Sequence, residues 1–177
     1  KENAKISAIE ILPATVTPPT PTPEPAVCGD LIQEAEDGQI FGNQFSVGTD
    51  TSASGGQYVH VGTTTNANNN FNGAAGNSNY VSYCFDVTTA GTYQIQGWVY
   101  GTNGNDDSFY VQVNDAPADG YLWDTLQNNS YAPDYLSDRG GENPVQVELP
   151  VGEHTVKIFH REDGTRLDKI ELELIDA

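Results

Sequence analysis

The chain has 177 residues, enough for one domain with a sizeable core and some additional segments. Seven Lys and Arg stand against 25 Asp and Glu, giving a formal charge of −18. Such a polyanion repels nucleic acid and anionic lipid, and no apolar run has the length of a membrane span, so neither nucleic-acid binding nor membrane insertion is expected.

Residues 1–12 form the first unit. Ile6, Ala8, Ile9, Ile11 and Leu12 are concentrated in a run that Pro13 stops, and the β-branched content predicts an extended strand, with a short helix as the rival reading. Apolar side chains fall on both strand faces, so both faces need cover. Residues 13–27 form a linker. Its segment 13–25, PATVTPPTPTPEP, carries six of the ten prolines. This composition predicts polyproline II at about 3.1 Å per residue, a semi-rigid spacer of roughly 40 Å.

A β domain is expected over 28–177. Period-2 or apolar runs recur at LIQEAE, QYVHVG, NYVSYCFDV, GTYQIQGWVYG, DSFYVQVND, NPVQVELP, EHTVKIFH and LDKIELELI, separated by Gly-, Asn- and Asp-rich stretches. No segment has convincing helical periodicity. The fold class is all-β, an antiparallel β-sandwich of the jelly-roll kind, preceded by the N-terminal strand and the Pro/Thr-rich linker. The two cysteines, Cys28 and Cys84, are read either as a disulfide or as two buried thiols. Low Lys content and a pairable cysteine couple point to an extracellular protein. Asn128-Asn129-Ser130 is a formal N-glycosylation acceptor. His60, His154 and His160 lie on separate predicted strands with no nucleophile signature near them, so an enzyme is not expected.

Four stretches together, IQEAED, SGGQYVHV, TTAGTYQIQGWVY and GTRLDKIELE, occur in an order that resembles carbohydrate-binding modules of families 6 and 35, over residues 30–176. The resemblance implies a structural Ca2+ held by Glu34, Glu36 and Asp168 with a backbone carbonyl from Ser54 or Gly55. On the residues alone, Glu34 and Glu36 are i and i+2 on a predicted strand, and two carboxylates on one face suit a hard cation. The alternative is plain exposed acids in an acidic protein. The resemblance further implies a sugar site in loops at one end of the sandwich, with Trp123, Asp107, Tyr131 and Arg166 as candidates. Arg166 stands where family 6 modules usually carry Asn, and a guanidinium favours carboxylates, so an acidic sugar enters alongside a neutral one. Packing beneath a long loop is the competing role for Trp123 and Tyr131. Residues 3–12 resemble the closing strand of a malectin-type domain.

Two functional expectations follow. In the first, a non-catalytic extracellular subunit donates residues 1–12 to the next copy and polymerises head-to-tail into a filament. In the second, the chain is a carbohydrate-binding module of a multidomain secreted glycosidase or surface protein, and the tail is only a linker.

Overall fold

A computed structural model describes residues 28–62, 73–139 and 143–177. The expectations for the donor strand (Ile6, Ala8, Ile9, Ile11, Leu12), its malectin resemblance and the Pro/Thr spacer lie outside the described residues.

Twelve strands follow one another among the described residues: β1 (Ile32–Glu34), β2 (Gln39–Phe41), β3 (Phe45–Thr49), β4 (Gln57–Val61), β5 (Tyr80–Val87), β6 (Gly91–Tyr100), β7 (Ser108–Val113), β8 (Ala116–Asp124), β9 (Ala132–Tyr135), β10 (Gln146–Leu149), β11 (Gly152–His160) and β12 (Arg166–Asp176). They form two antiparallel sheets. One runs β10-β6-β12-β4-β3, with β1 also on β12 and β9 also on β6; the other runs β2-β5-β11-β7-β8. Among the described residues, no helix is long and apolar enough to cross a membrane.

The expected strand alternation makes the sandwich. Tyr93, Ile95 and Val99 of β6 and Leu167, Ile170 and Leu172 of β12 turn inward, facing Val81, Tyr83, Phe85, Phe109, Val111, Val156 and Ile158 from the other sheet. The outward residues of β6, Gln94, Gln96, Trp98 and Tyr100, remain partly exposed. All eight sequence-predicted runs contain a strand.

Four strands were not legible in the sequence, and two of them contain proline. β8 carries Pro117 and Gly120, and β9 carries Pro133; such residues read as loop, yet among the described residues each of these strands pairs with one other strand only. At an edge, a missing N–H costs no ladder bond. The turn joining β7 to β8 has Asn114 and Asp115 at positive φ (51° and 63°), the left-handed pair that tight hairpins require.

Trp123 of β8 is fully buried. Its indole crosses the sandwich and settles over Gly97 of β6, where an added Cβ would come within 2.5 Å of Cη2. Glycine here is a seat for the ring.

Cys28 and Cys84 form a disulfide closing 56 residues, a constraint contributing about 4 kcal/mol on the chain-entropy model. Gly29 reinforces it by donating N–H to Cys84 O (2.9 Å) and accepting from Asp86 N (3.1 Å). The start of the domain is thus pinned to β5.

The Gly97 seat gives a direct test. Gly97→Ala should destabilise the fold by about 1–3 kcal/mol, because the methyl meets Trp123 and Leu167 with no room to retreat. Urea denaturation followed by indole fluorescence would measure it.

Candidate functional site

Two constellations emerge on the sandwich, a nest of carboxylates and an aromatic–cationic cluster at one end.

The nest is built from three elements. Glu34 ends β1, and Glu36 lies not on a strand, as its spacing suggested, but in a 3-10 turn, Ala35–Asp37. Burial of Ala35, whose carbonyl accepts the Tyr83 hydroxyl at 3.0 Å, forces this turn. Asp168 sits at a register break in β12, between Leu167 and Lys169, and is 3% exposed. A second 3-10 turn, Ser54–Gly56, faces them. Its Ser54 N–H donates to Asp168 Oδ1 and its hydroxyl to Glu34 Oε1, both at 2.8 Å. Gly55, at φ 62°, lies against Glu36, whose Oε1 would be 3.2 Å from an added Cβ.

The charge in this nest is only partly compensated, by Ser54 and by the Lys169 charge next to Asp168. Burial, with Glu34 and Glu36 nearby, pushes the Asp168 carboxyl up to about 6, against the pull of the Ser54 N–H. Burial also raises Glu36, assisted by Glu34 and Asp37. The second oxygens, Glu34 Oε2 and Glu36 Oε2, are enclosed and accept no hydrogen bond. Enclosed carboxylate oxygens without donors are costly, and an all-oxygen set of this kind fits a hard divalent cation. Among the described residues, three ligand atoms close within 4.8 Å of one another at Cys28, Cys84 and Glu153, where both sulfurs are spent in the disulfide; the Glu34–Glu36–Asp168 nest is more open.

The aromatic end is organised around Arg166, the first residue of β12. The register places it between His60 of β4 and Tyr100 of β6, on the outward face. Its guanidinium carbon stands 4.8 Å from the Tyr58 ring centroid and 4.5 Å from that of Tyr100. Tyr131 adds a third ring, 5.9 Å from Tyr58 and 5.5 Å from Tyr100. Asp50 accepts from Arg166 Nη1 at 3.3 Å and is itself held by Ser52 N–H and hydroxyl at 2.9 and 2.7 Å. Tyr58 can lie across β3 because its partner there is Gly48, where a Cβ would strike the phenol ring.

Polar atoms in this cluster are only partly satisfied. The Tyr131 hydroxyl and the Asn128 amide oxygen are enclosed without a hydrogen bond. Burial pushes the Tyr131 phenol up to about 12, against the pull of Arg166. Burial, and then the Arg166 charge, lower His60 against the pull of a backbone hydrogen bond at Val61; its Nε2 is 3.3 Å from Ser46 Oγ. The cluster therefore offers ring edges and faces and one guanidinium.

Two of the four sequence-derived ligand candidates, Tyr131 and Arg166, meet here. The other two are corrected. Trp123 has no exposed face on which a sugar could stack. Its Nε1 donates to Asp134 Oδ2 at 2.9 Å, and the same oxygen accepts Leu126 N–H at 3.2 Å, so the indole supports the loop from beneath. Asp107 is 6% exposed and fastens that loop too. Its carboxylate accepts Gln127 Nε2 at 2.7 Å, and its carbonyl accepts Thr125 N–H and Oγ1 at 2.6 and 2.9 Å.

Tyr58, Tyr100, His60 and Asp50 were missed. Tyr58 and His60 alternate in QYVHV, a visible hint of one outward face, but meeting Tyr100 depends on β12 lying between β4 and β6. That order is not written in any local pattern.

No family model matches the chain, and no curated protein does. Solved structures do match. A family 35 carbohydrate-binding module from Clostridium thermocellum is 25% identical with a TM-score of 0.55, covering 80% of this chain and 96% of that one. A second family 35 module structure from the same organism gives 13% identity and a TM-score of 0.55 over 81% and 97%. The Podospora anserina β-(1,4)-mannanase GH26-CBM35 gives 18% identity and a TM-score of 0.58 over 81% of this chain, which spans 27% of that enzyme. The chain has the jelly-roll fold of these modules.

The Asp107 staple has a pH signature. Burial, with Glu162 beside it, raises this carboxyl from 3.8 to about 6. Between those values the folded chain holds a proton that the unfolded chain releases. The group's contribution is therefore full below about pH 4 and lost as pH rises through 6. Asp107→Asn keeps an acceptor for Gln127 and removes the buried charge. It should raise stability at pH 7 by roughly 1–2 kcal/mol and flatten the dependence between pH 4 and 6, measured by denaturant titration.

Proposed function

We propose that residues 28–177 are a non-catalytic carbohydrate-binding module of an extracellular protein, taking its sugar at the aromatic end. The observation that carries this reading is the Arg166 guanidinium held between Tyr58 and Tyr100, with the Tyr131 ring beside both. Aromatic rings accept the C–H face of a sugar, and the neighbouring polar atoms meet its hydroxyls. Support comes from the fold shared with family 35 modules. The disulfide agrees with an oxidising compartment.

An acidic sugar fits best. A guanidinium pairs with a carboxylate through two parallel hydrogen bonds, and the Arg166 contact to Asp50 is long, at 3.3 Å. In the nest, Glu34, Glu36 and Asp168 with a carbonyl of Ser54 or Gly55 hold Ca2+. The ion neutralises the buried carboxylates and ties β1 to the turn that leads into β4 and to β12. Of the two expectations drawn from the sequence, the binding module is the better supported; strand donation falls on residues 1–12, outside the described residues.

Arg166→Ala and Tyr131→Ala should each remove retention on uronate-containing polysaccharides in affinity electrophoresis while leaving the melting temperature within a few degrees, since both sit outside the core. No retention of the unaltered protein by any acidic or neutral glycan would overturn the lectin reading.

The cation is tested separately. Excess EDTA should lower the melting temperature and added Ca2+ restore it, because an ion bound only by the folded state stabilises by linkage. Glu36→Gln should abolish that response. A melting curve indifferent to chelator would remove Ca2+ from the nest.

A further inference from the structure

Lys169 adjoins the carboxylate nest but binds elsewhere. It follows Asp168 in β12, and the register sets it between two neighbours of different chemistry. On one side its partner is Glu34 of β1; on the other it is Trp98 of β6. Directly opposed residues of an antiparallel pair have Cβ atoms about 5 Å apart, so the lysine stem reaches either neighbour.

The ammonium takes the indole. Lys169 Nζ stands 4.2 Å from the Trp98 ring centroid, and among the described residues no ion pair joins it to an acid. Glu171, two residues further along β12, is passed over as well. Yet Glu34 Oε2 is enclosed and accepts no hydrogen bond. An unfilled carboxylate oxygen attracts an ammonium strongly, so the ring holds Lys169 against that pull. Trp98 and Lys169 are both half-buried, where a cation on an indole face gains more than it does in open water. On its far side Trp98 is paired with Pro133 of β9, which keeps water from that flank of the ring's strand.

The consequence falls on the nest. An ammonium on Glu34 would fill the open oxygen and cancel one negative charge, and a divalent ion would have to displace it before binding. With Lys169 on the indole, the carboxylates of Glu34, Glu36 and Asp168 all stay open to the ion.

We propose, on the reading of the nest as a Ca2+ site, that Trp98 is a positioning residue for the cation: it holds the Lys169 ammonium out of the nest. Trp98 does so from the outward face of β6, apart from the core cluster. It touches neither the ion nor its ligands, and acts on them only through the lysine.

Calorimetric titration of Ca2+ into the full chain, stripped of metal beforehand, tests this. Trp98→Leu should weaken Ca2+ binding about three- to tenfold, the size of one cation–π contact, and Trp98→Phe, which keeps a ring face, should retain most of the affinity. Lys169→Gln should bind Ca2+ at least as tightly as the unaltered chain. The double variant decides. In the Lys169→Gln background, Trp98→Leu should have no further effect, because the ring acts through the ammonium alone. A merely structural tryptophan would weaken binding equally with and without Lys169, and that result overturns the proposal. Weaker binding by Lys169→Gln would overturn it too, since the lysine would then be helping the site, and this variant leaves Trp98 in place. Failure of the unaltered chain to bind Ca2+ overturns the nest reading and the positioning role together, whereas Ca2+ binding that ignores Trp98→Leu overturns the positioning role alone.

Discussion

The seating of Trp123 on Gly97 is the contact on which both the core and the binding end depend. One indole spans the two sheets, filling the space that the missing Gly97 side chain leaves. Its N–H reaches Asp134 at 2.9 Å. Asp134 in turn fixes Leu126, and Gln127 is fixed by Asp107. The loop that brings Tyr131 to Arg166 is thus suspended from buried groups at both levels. Surface recognition at this end inherits its precision from packing rather than from the loop's own stiffness.

Acid excess imposes the second constraint. The five basic residues of the described chain are all committed. Arg139 pairs with Asp124, Lys157 with Asp115, Arg161 with Glu162 and Arg166 with Asp50. Lys169 lies over the Trp98 ring at 4.2 Å. None of these ion pairs reaches the Glu34–Glu36–Asp168 nest. Its enclosed oxygens face an interior where each uncompensated charge costs several kcal/mol, and the hydrogen bonds from Ser54 satisfy only half the problem. A bare nest of this kind is a burden on the fold, which gives a cation there a physical reason beyond resemblance.

What could be read from the sequence divides along a physical line. Period-2 alternation is local, so the eight main runs and their sandwich were legible, as was the Cys28–Cys84 pairing as one of two options. Edge strands obey weaker rules. Pro117 and Pro133 look like breakers until one sees that, among the described residues, their strands each pair with one other strand only. Site residues failed for a related reason. Trp123 is large and lies in a loop-like stretch, which fits a surface platform as well as a cross-sheet core residue. Only the neighbour at Gly97 separates the two. Asp107 looked like one more acid in a Gly- and Asn-rich loop, and its burial comes from Thr125 and Gln127 folding over it. By contrast, Arg166 was found through the resemblance, as the residue two places before Asp168 where family 6 modules usually carry Asn, and not from any pattern that foretold its aromatic neighbours.

The placement of two surface features follows from β6. This strand begins at Gly91, opposite Leu149 at a groove of about 380 Å3 between β8 and β10, and ends at Tyr100 beside Arg166. Its ten residues span about 30 Å, so the groove and the aromatic end lie at opposite poles of one sandwich. The Tyr58, Tyr100 and Tyr131 rings therefore lie far from Leu149 at the groove. The two poles also differ in chemistry. One end concentrates aromatic rings and a guanidinium, suited to a weak, exchangeable and hydrated ligand. The other sets apolar Val113, Tyr121 and Val147 beside polar Asn114, Gln146 and Glu148. The two are built from different strands, and β6, packed on the core along its inward face, holds them a fixed distance apart.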